Sequence, residues 1–498
     1  MNKYIKAISS NYILFLVSTV FFLVITGVAI RVMGEEFYGL WVILNSILLF
    51  SNVGMLGMGM IVNKFASEVG EEAYPANSIL STGFALLLPV ACLAALTIWL
   101  LRDWIVVQMG VDAALQEQFR LALVFTAISV IPQFLSRVLH GYLLSQLKNL
   151  QSRWIEFAVN FALWTGATII AALLQDLVWM AAWGLVVQAA GMLSLMALVF
   201  PQVGFRWELD RSLLRKMLDF SGFTFLQSIA NILFQHFDRI LVGFVLGPAA
   251  AGVYSVGNSV ALRLSIVSGQ AAEVMLPYAS KKGSVQDRTA LYQTFRQLNQ
   301  FIGILIGALA ALLILWMEPI LAVWISQDYA RNYAAIFRIL ILAYVFMSVC
   351  RSGHQTLTGI GKIKAISLIY IGSSLLMLLG LYLLASRFGL VGAALANLLM
   401  VFLLLFNILV YPELTGRLPI GAVAWDLLLA LGFPALAYGF MLFVHMPSIL
   451  TMIVISVGLL FLAVALLRRL HLVRRYENLI LEAVKTKVRD MQAGNLDL

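Results

Sequence analysis

The chain has 498 residues, 62% of them hydrophobic and 11% charged, with a mean hydropathy of +0.95. A soluble fold of this length has no interior large enough for so much apolar side chain, which leaves a polytopic membrane protein. The net charge of +9 would suggest nucleic-acid binding in a soluble chain; here it fits basic loops on one side of a membrane, and no nucleic-acid partner is expected.

A spanning helix needs about 20 mostly apolar residues, so the chain reads as an all-α membrane protein of about 14 transmembrane helices. The first six spans are expected at about 11–33, 38–62, 77–100, 119–141, 154–174 and 178–200. Six more are expected at about 218–246, 250–277, 297–317, 333–356, 365–386 and 389–411. Two others, about 422–444 and 448–467, follow them. This divides the chain into an N-terminal six-helix lobe (1–205), a C-terminal six-helix lobe (206–412), two extra helices (413–470) and an amphipathic cytoplasmic tail (471–498). The tail alternates Leu472, Ile480, Val484 and Val488 with charges at helical spacing; an anionic leaflet and plain solvent are equally good settings for it.

The two lobes read as copies of one unit. Gly34, Gly39, Trp41, Asn45 and Ser46 recur as Gly247, Gly252, Tyr254, Asn258 and Ser259, each pair 213 positions apart (247 − 34). Phe65-Ala-Ser67 recurs as Tyr278-Ala-Ser280 at the same offset. Arg137, His140 and Lys148 recur as Arg351, His354 and Lys362, one position further apart. A shared offset across separate segments marks an internal repeat, a common plan for transporters. Six is even, so both copies start on the same side, related by a pseudo-two-fold axis along the membrane normal, with a cavity between them if they face each other. Loops after even-numbered spans carry the basic residues, among them Lys64, Lys148, Arg153, Arg206, Arg211, Lys281, Lys362 and Arg417. Both termini are therefore expected in the cytoplasm.

No paired carboxylates, metal-ligand spacing or nucleotide loop occurs, so neither an enzyme nor a metal or cofactor site is expected. Cys92 and Cys350 both sit in apolar runs, and the first apolar run lacks the small-residue cleavage pattern of a signal peptide. Chemistry then rests on the ionisable groups within spans, which are costly and usually face a cavity. His236, Asp238 and Arg239 cluster in span seven. Asp238 and Arg239 are adjacent, so on a helix they project about 100° apart and do not easily pair. Arg239 reads either as a site for an anionic headgroup or as a packing contact; Asp238, with His236 beside it, reads either as an ion-coupling site for H+ or Na+ or as a packing contact. Arg263 lies near the middle of span eight and needs an anion, a carboxylate (Asp238 or Glu273) or water. Arg31, near the outer end of span one, reads as a snorkelling side chain or a further headgroup contact. The repeated Arg137, His140, Lys148, Arg351, His354 and Lys362 would form a basic ring at the cytoplasmic mouth, which the positive-inside rule also produces by itself. Asn45, Asn52 and Asn258 read as hydrogen-bond partners between helices.

Gly34-Glu-Glu-Phe-Tyr-Gly-Leu-Trp41, followed by Asn45-Ser46 and Val53-Gly-Met-Leu-Gly57, resembles the opening of the Wzx-type polysaccharide-transporter flippases. Asp238-Arg239-Ile240, Leu246-Gly247 and Gly252-Val-Tyr254 continue the resemblance, which covers about the first 410 residues. That family belongs to the multidrug/oligosaccharidyl-lipid/polysaccharide exporter superfamily. The resemblance implies two six-helix lobes in a V with alternating access, and a bacterial inner-membrane location. It implies an undecaprenyl-pyrophosphate-linked oligosaccharide moved from the cytoplasmic to the periplasmic leaflet, with Arg239 and Arg263 in the positions that hold the pyrophosphate. Partners so implied are that lipid, membrane lipids, and polysaccharide polymerase and chain-length proteins. A lipid II flippase shares the fourteen-helix plan. An ion-coupled multidrug exporter would favour carboxylates over arginines, and a membrane glycosyltransferase would carry a long outer loop.

Overall fold

The computed structural model describes the backbone of residues 2–55, 57–68, 74–146, 148–282, 288–444 and 449–472. It does not extend to the side chains of 2–13, 15–16, 149, 220–236 and 281–282. Among the described residues every regular element is helical. In chain order these are α1 (Asn2–Phe50), α2 (Met58–Ser67), α3 (Ala76–Gln108), α4 (Ala113–Ser145), α5 (Asn149–Leu174), α6 (Leu177–Val203), α7 (Arg211–Leu246) and α8 (Pro248–Ala272). There follow α9 (Met275–Lys282), α10 (Arg288–Trp324), α11 (Gln327–Val349), α12 (Arg351–Gly359), α13 (Ile363–Ala396), α14 (Leu405–Thr415), α15 (Ile420–Phe443) and α16 (Ile449–Arg469). Short polar side chains start several of them. Asp176 accepts from Val178 N–H at 2.7 Å, Asp210 from Ser212 N–H at 2.8 Å and Ser326 from Tyr329 N–H at 3.1 Å, each satisfying first-turn donors that the helix itself cannot.

Eleven helical stretches are long and apolar enough to cross a membrane. Two of them are double. Val17–Met55 (39 residues) and Ile363–Thr415 (53 residues) far exceed the roughly 20 residues that one crossing needs. The first breaks at Gly34 (φ 76°, ψ 171°) and the second at Gly389 (φ 58°, ψ −142°). Counting each double stretch twice gives thirteen crossings among the described residues; α7, expected as the seventh span, is not among them. The amphipathic reading of the tail falls on residues 473–498, outside the described ones.

The repeat is visible in backbone angles. Gly247 has φ 87° and ψ 172°, nearly the values of Gly34 213 positions earlier. This corner of conformational space is open essentially only to glycine. Both copies thus end one long helix and start the next with the same backbone device.

The described residues form two compact units, Met1–Ser255 and Val256–Leu498. The expected lobe boundary at 205/206 marks where the sequence repeat restarts; the compact unit runs further, because α7 packs on α1 and α3. In the first unit the two copies of the glycine stretch meet. A Cβ on Gly39 would overlap the Pro248 carbonyl oxygen. A Cβ on Gly252 would lie 2.7 Å from the Glu35 carbonyl oxygen and 3.0 Å from Gly39 N. The backbones therefore touch at Gly39 and Gly252, as small residues permit where membrane helices cross closely. The strand of chain after α6 is clasped to α3: Arg206 N–H donates to Asn77 Oδ1 at 3.2 Å and Glu208 N–H to Ser81 Oγ at 2.9 Å.

In the second unit α10 is the central helix, with α11, α15 and α16 packed on it. The extra helix α15 is not peripheral. A Cβ on Gly307 of α10 would come within 2.6 Å of the Ala430 carbonyl oxygen, so the two backbones nearly touch. Beside this contact Asp426 of α15 is 3% exposed. It accepts from Asn299 Nδ2 at 2.9 Å, Gln300 Nε2 at 3.2 Å and Tyr411 Oη at 2.6 Å. Asn299 Oδ1 in turn accepts from Ser352 Oγ and Asn407 Nδ2, both at 2.8 Å. A cavity of about 30 Å³ adjoins Asn299, Asn407, Tyr411 and Asp426, large enough for one water.

Two outcomes follow from this packing. Gly39→Val or Gly252→Val forces the crossing apart, an overpacking cost of about 1–3 kcal/mol; a lowered unfolding midpoint in detergent is expected, and an unchanged midpoint would contradict the contact. Asp426→Ala removes three hydrogen bonds between helices, which average about 0.6 kcal/mol each in membrane proteins. A loss of about 2 kcal/mol is expected on that basis, with the drop absent for Ala422→Ser one turn away.

A cationic candidate site on the spanning helices

Asp238 and Arg239 lie on α7 about 12 Å and 10 Å along the axis from its end at Leu246, at the usual rise per residue. Asp238 is 1% exposed. Its Oδ1 accepts from the Arg239 backbone N–H at 2.8 Å, and its Oδ2 accepts from Tyr254 Oη at 2.8 Å. Tyr254 is itself fully buried, two residues beyond Gly252, so the glycine crossing sets where its ring stands.

Arg239 is half-buried. Its Nε is enclosed and has no hydrogen-bond partner. The ion pairs among the described residues do not include it. It lies close enough to Asp238 and to the buried Tyr38 to act on both electrostatically. Tyr38 immediately precedes Gly39 and stands in an aromatic group with Trp41 and Trp164, whose ring centres are 6.2 Å apart. One tyrosine beside each crossing glycine thus attends the Asp238–Arg239 pair. Sequence reasoning missed both. Tyr254 carried a signal, since it occupies the repeat position of Trp41; Tyr38 carried none.

Neighbours on a helix do approach elsewhere in the same chain. Arg102 Nε of α3 lies 3.7 Å from Asp103 Oδ2. Long side chains bend across the angle between neighbours. At 238 and 239 no ion pair between the two side chains is among those of the described residues.

Arg263 lies in the second unit, half-buried on α8, about 22 Å along the axis from Pro248 and 14 Å from Ala272. Glu273, one of its expected alternatives as a partner, is exposed in the turn after α8. Arg31 is exposed on α1, three residues before the break at Gly34. His236 shares α7 with Asp238, and its side chain falls outside the described residues.

The repeated basic residues are each tied to neighbouring helices of their own unit. In the first unit Arg137 lies 3.6 Å from Glu156, His140 Nδ1 is 2.6 Å from Ser152 Oγ, and Lys148 bonds Gln202. In the second unit Arg351 donates twice to Ser265 Oγ (3.2 and 2.9 Å), and Lys362 pairs with Glu413 at 2.7 Å. His354 stands edge-on between Tyr370 and Phe406, each ring centre 5.4 Å away. Of the asparagines, Asn52 accepts from Gln133 Nε2 at 2.8 Å and Asn258 accepts from Tyr344 Oη. Asn45 instead donates to the Trp41 carbonyl of its own helix at 2.8 Å, beside a cavity of about 20 Å³ that Thr126, Ser129 and Gln188 also line.

A helical frame with eleven stretches able to cross a membrane, and a glycine device repeated between its two copies, defines a polytopic helical membrane protein of the transporter type. The model of the polysaccharide biosynthesis protein family matches residues 28–331, and the chain belongs to that family. It is 19% identical over 378 residues to a Shigella flexneri protein provisionally named an O-antigen transporter, covering 74% of this chain and 88% of that one. Among solved structures it is similar to the lipid II flippase MurJ in an inward closed conformation. The TM-score is 0.75 at 13% identity, over 92% of this chain and 98% of the other. It is also similar to an inward-facing multidrug resistance transporter of the MATE family of the MOP superfamily. There the TM-score is 0.63 at 12% identity, over 85% and 96%. At such identities these likenesses establish the fold, that of the MOP exporters, and nothing finer.

Proposed function

We propose that the protein is a flippase, not an enzyme. It moves an undecaprenyl-pyrophosphate-linked oligosaccharide from the cytoplasmic to the periplasmic leaflet by alternating access, for cell-surface polysaccharide synthesis. The observation that carries the proposal is Arg239: a guanidinium half-buried on α7, with an enclosed Nε and, among the described residues, no ion pair. An arginine within the bilayer is unfavourable by a few kcal/mol on the mildest scale, so its retention calls for an anion that arrives from outside. A pyrophosphate carries about two negative charges and cannot enter hydrocarbon bare. The fork of Arg matches phosphate oxygens better than the point charge of Lys. Arg263, near the middle of α8, and Arg31, three residues before the break in α1, are further candidates for contact with an anionic headgroup in this reading. The kinship with an O-antigen transporter supports the substrate class.

In this reading the chain sits in the bacterial inner membrane with both termini in the cytoplasm. The basic residues at 137, 140, 148, 351, 354 and 362 then draw phosphates to the cytoplasmic mouth. Transport is coupled to H+ or Na+ through Asp238 and His236, and the polymerase and chain-length proteins receive the product.

Deleting the gene is expected to remove surface glycan while oligosaccharide-lipid accumulates on the cytoplasmic face. Intact glycan with new sensitivity to cationic drugs would point instead to a multidrug exporter. Arg239→Gln and Arg263→Gln should each abolish surface glycan at normal protein level, and normal glycan from both would overturn the proposal. Full transport by Asp238→Asn across pH and membrane potential would remove Asp238 from coupling.

A further inference from the structure

In an uninterrupted helix the Gly353 N–H donates to the Val349 carbonyl, four residues back. Here the helix is interrupted between them. α11 ends at Val349 and α12 starts at Arg351, although both belong to one membrane-crossing stretch, Gln327–Gly359. Both backbone groups go to a single side chain on another helix. Asn407 of α14 accepts from the Gly353 N–H on Oδ1 at 3.0 Å, and its Nδ2 donates to the Val349 carbonyl at 3.1 Å. Nδ2 donates also to Asn299 Oδ1 at 2.8 Å, so all three bonds agree on which way the amide faces. Asn299 donates in turn to Asp426, which braces the amide from α10 and, through it, from α15. Gly353 is needed for the approach. A Cβ there would lie 2.2 Å from Asn407 Oδ1 and 2.7 Å from the Asn407 backbone N.

Open backbone groups are costly in hydrocarbon, and a gap in a spanning helix lasts only where something else satisfies them. Asn407 supplies the acceptor and the donor at once. The first copy shows the same passage without the device. Gly353 corresponds to Leu139 (353 − 214 = 139), inside α4, which runs unbroken from Ala113 to Ser145. Asn407 corresponds at that offset to Leu193, which is exposed on α6.

We infer that Asn407 is a positioning residue: its amide stands in for one rung of the helix, keeps the stretch interrupted at Cys350, and so sets where α12 and its first residue, Arg351, lie. Arg351 is one of the basic residues repeated between the copies. Its guanidinium donates twice to Ser265 Oγ of α8, whereas its counterpart Arg137, on unbroken α4, approaches Glu156 of α5. The inference concerns the path of the backbone and stands whether or not the flippase reading holds.

The test is a cryo-EM structure of the full-length Asn407→Leu variant in nanodiscs, beside the parent. Leu fills nearly the same space and offers neither donor nor acceptor. The expected result is a continuous helix through Cys350, with Gly353 N about 2.9–3.0 Å from the Val349 oxygen and the Arg351 contact with Ser265 lost. An interruption that persists would overturn the inference, because a merely stabilising residue lowers the unfolding midpoint and leaves the backbone path as it was. A healed helix with Arg351 still on Ser265 would overturn the positioning role. If Asn407→Leu does not accumulate as folded protein, Asn407→Ala is read in the same way. The parent alone also decides: a helix continuous through Cys350, with Asn407 bonded elsewhere, overturns the inference without any variant.

Discussion

Two backbones touch where Gly39 meets Gly252, and the rest of the candidate site depends on that contact. In hydrocarbon there is little hydrophobic drive between helices, so close approach must come from packing and hydrogen bonds. A residue with a Cβ at either position would hold the helices apart. Separation would carry the Tyr254 hydroxyl away from Asp238 and Tyr38 away from Arg239. The glycines at 34 and 247 act upstream of this. Their shared backbone angles start each following helix in the direction that brings the crossing about.

The same solvent explains why the chain treats its buried charges so differently. Asp426 accepts three side-chain donors and joins an extra helix to its unit. A network completed in this way fixes one arrangement of α15 on α10, and nothing in it is left for a ligand apart from a water-sized cavity. Asp238 is as well satisfied, by one backbone and one side-chain donor. Arg239 has an enclosed Nε with no hydrogen-bond partner among the described residues, in contrast to its neighbour. A buried polar group without partners is costly unless something else meets it.

How much of this was legible in the sequence follows from how local each feature is. The membrane-crossing stretches could be read because apolar runs are local. The repeat could be read because glycine and aromatic residues recur at one offset, and Gly34 and Gly247 turned out to share backbone angles as well. Asp238 and Arg239 were found because an ionisable pair in an apolar run stands out. Their partners were not. Tyr254 lies 16 residues from Asp238 and Tyr38 lies on another helix entirely, and no periodic signal links such positions. Asp426 escaped notice although it is ionisable and within a span, because its partners Asn299 and Gln300 are 127 and 126 residues away. The basic residues at 137 to 148 and 351 to 362 were visible as a repeat, yet their contacts with Glu156, Ser265 and Glu413 were not.

Relatedness by repetition also explains why one copy carries the chemistry. Trp41 and Tyr254 occupy equivalent places, and Thr26 and Arg239 do so at the same offset. In the first copy these positions hold an indole and a hydroxyl; in the second, a phenol and a guanidinium. The backbone device of a glycine break followed by a glycine crossing was kept in both, since each is needed for the helices to meet. The side chains around it differ between the copies, since the backbone contact does not depend on them. A second guanidinium at residue 26 would repel Arg239 within a low-dielectric interior, where like charges weigh far more than in water. The asymmetry of the pair is therefore what the symmetry of the frame requires.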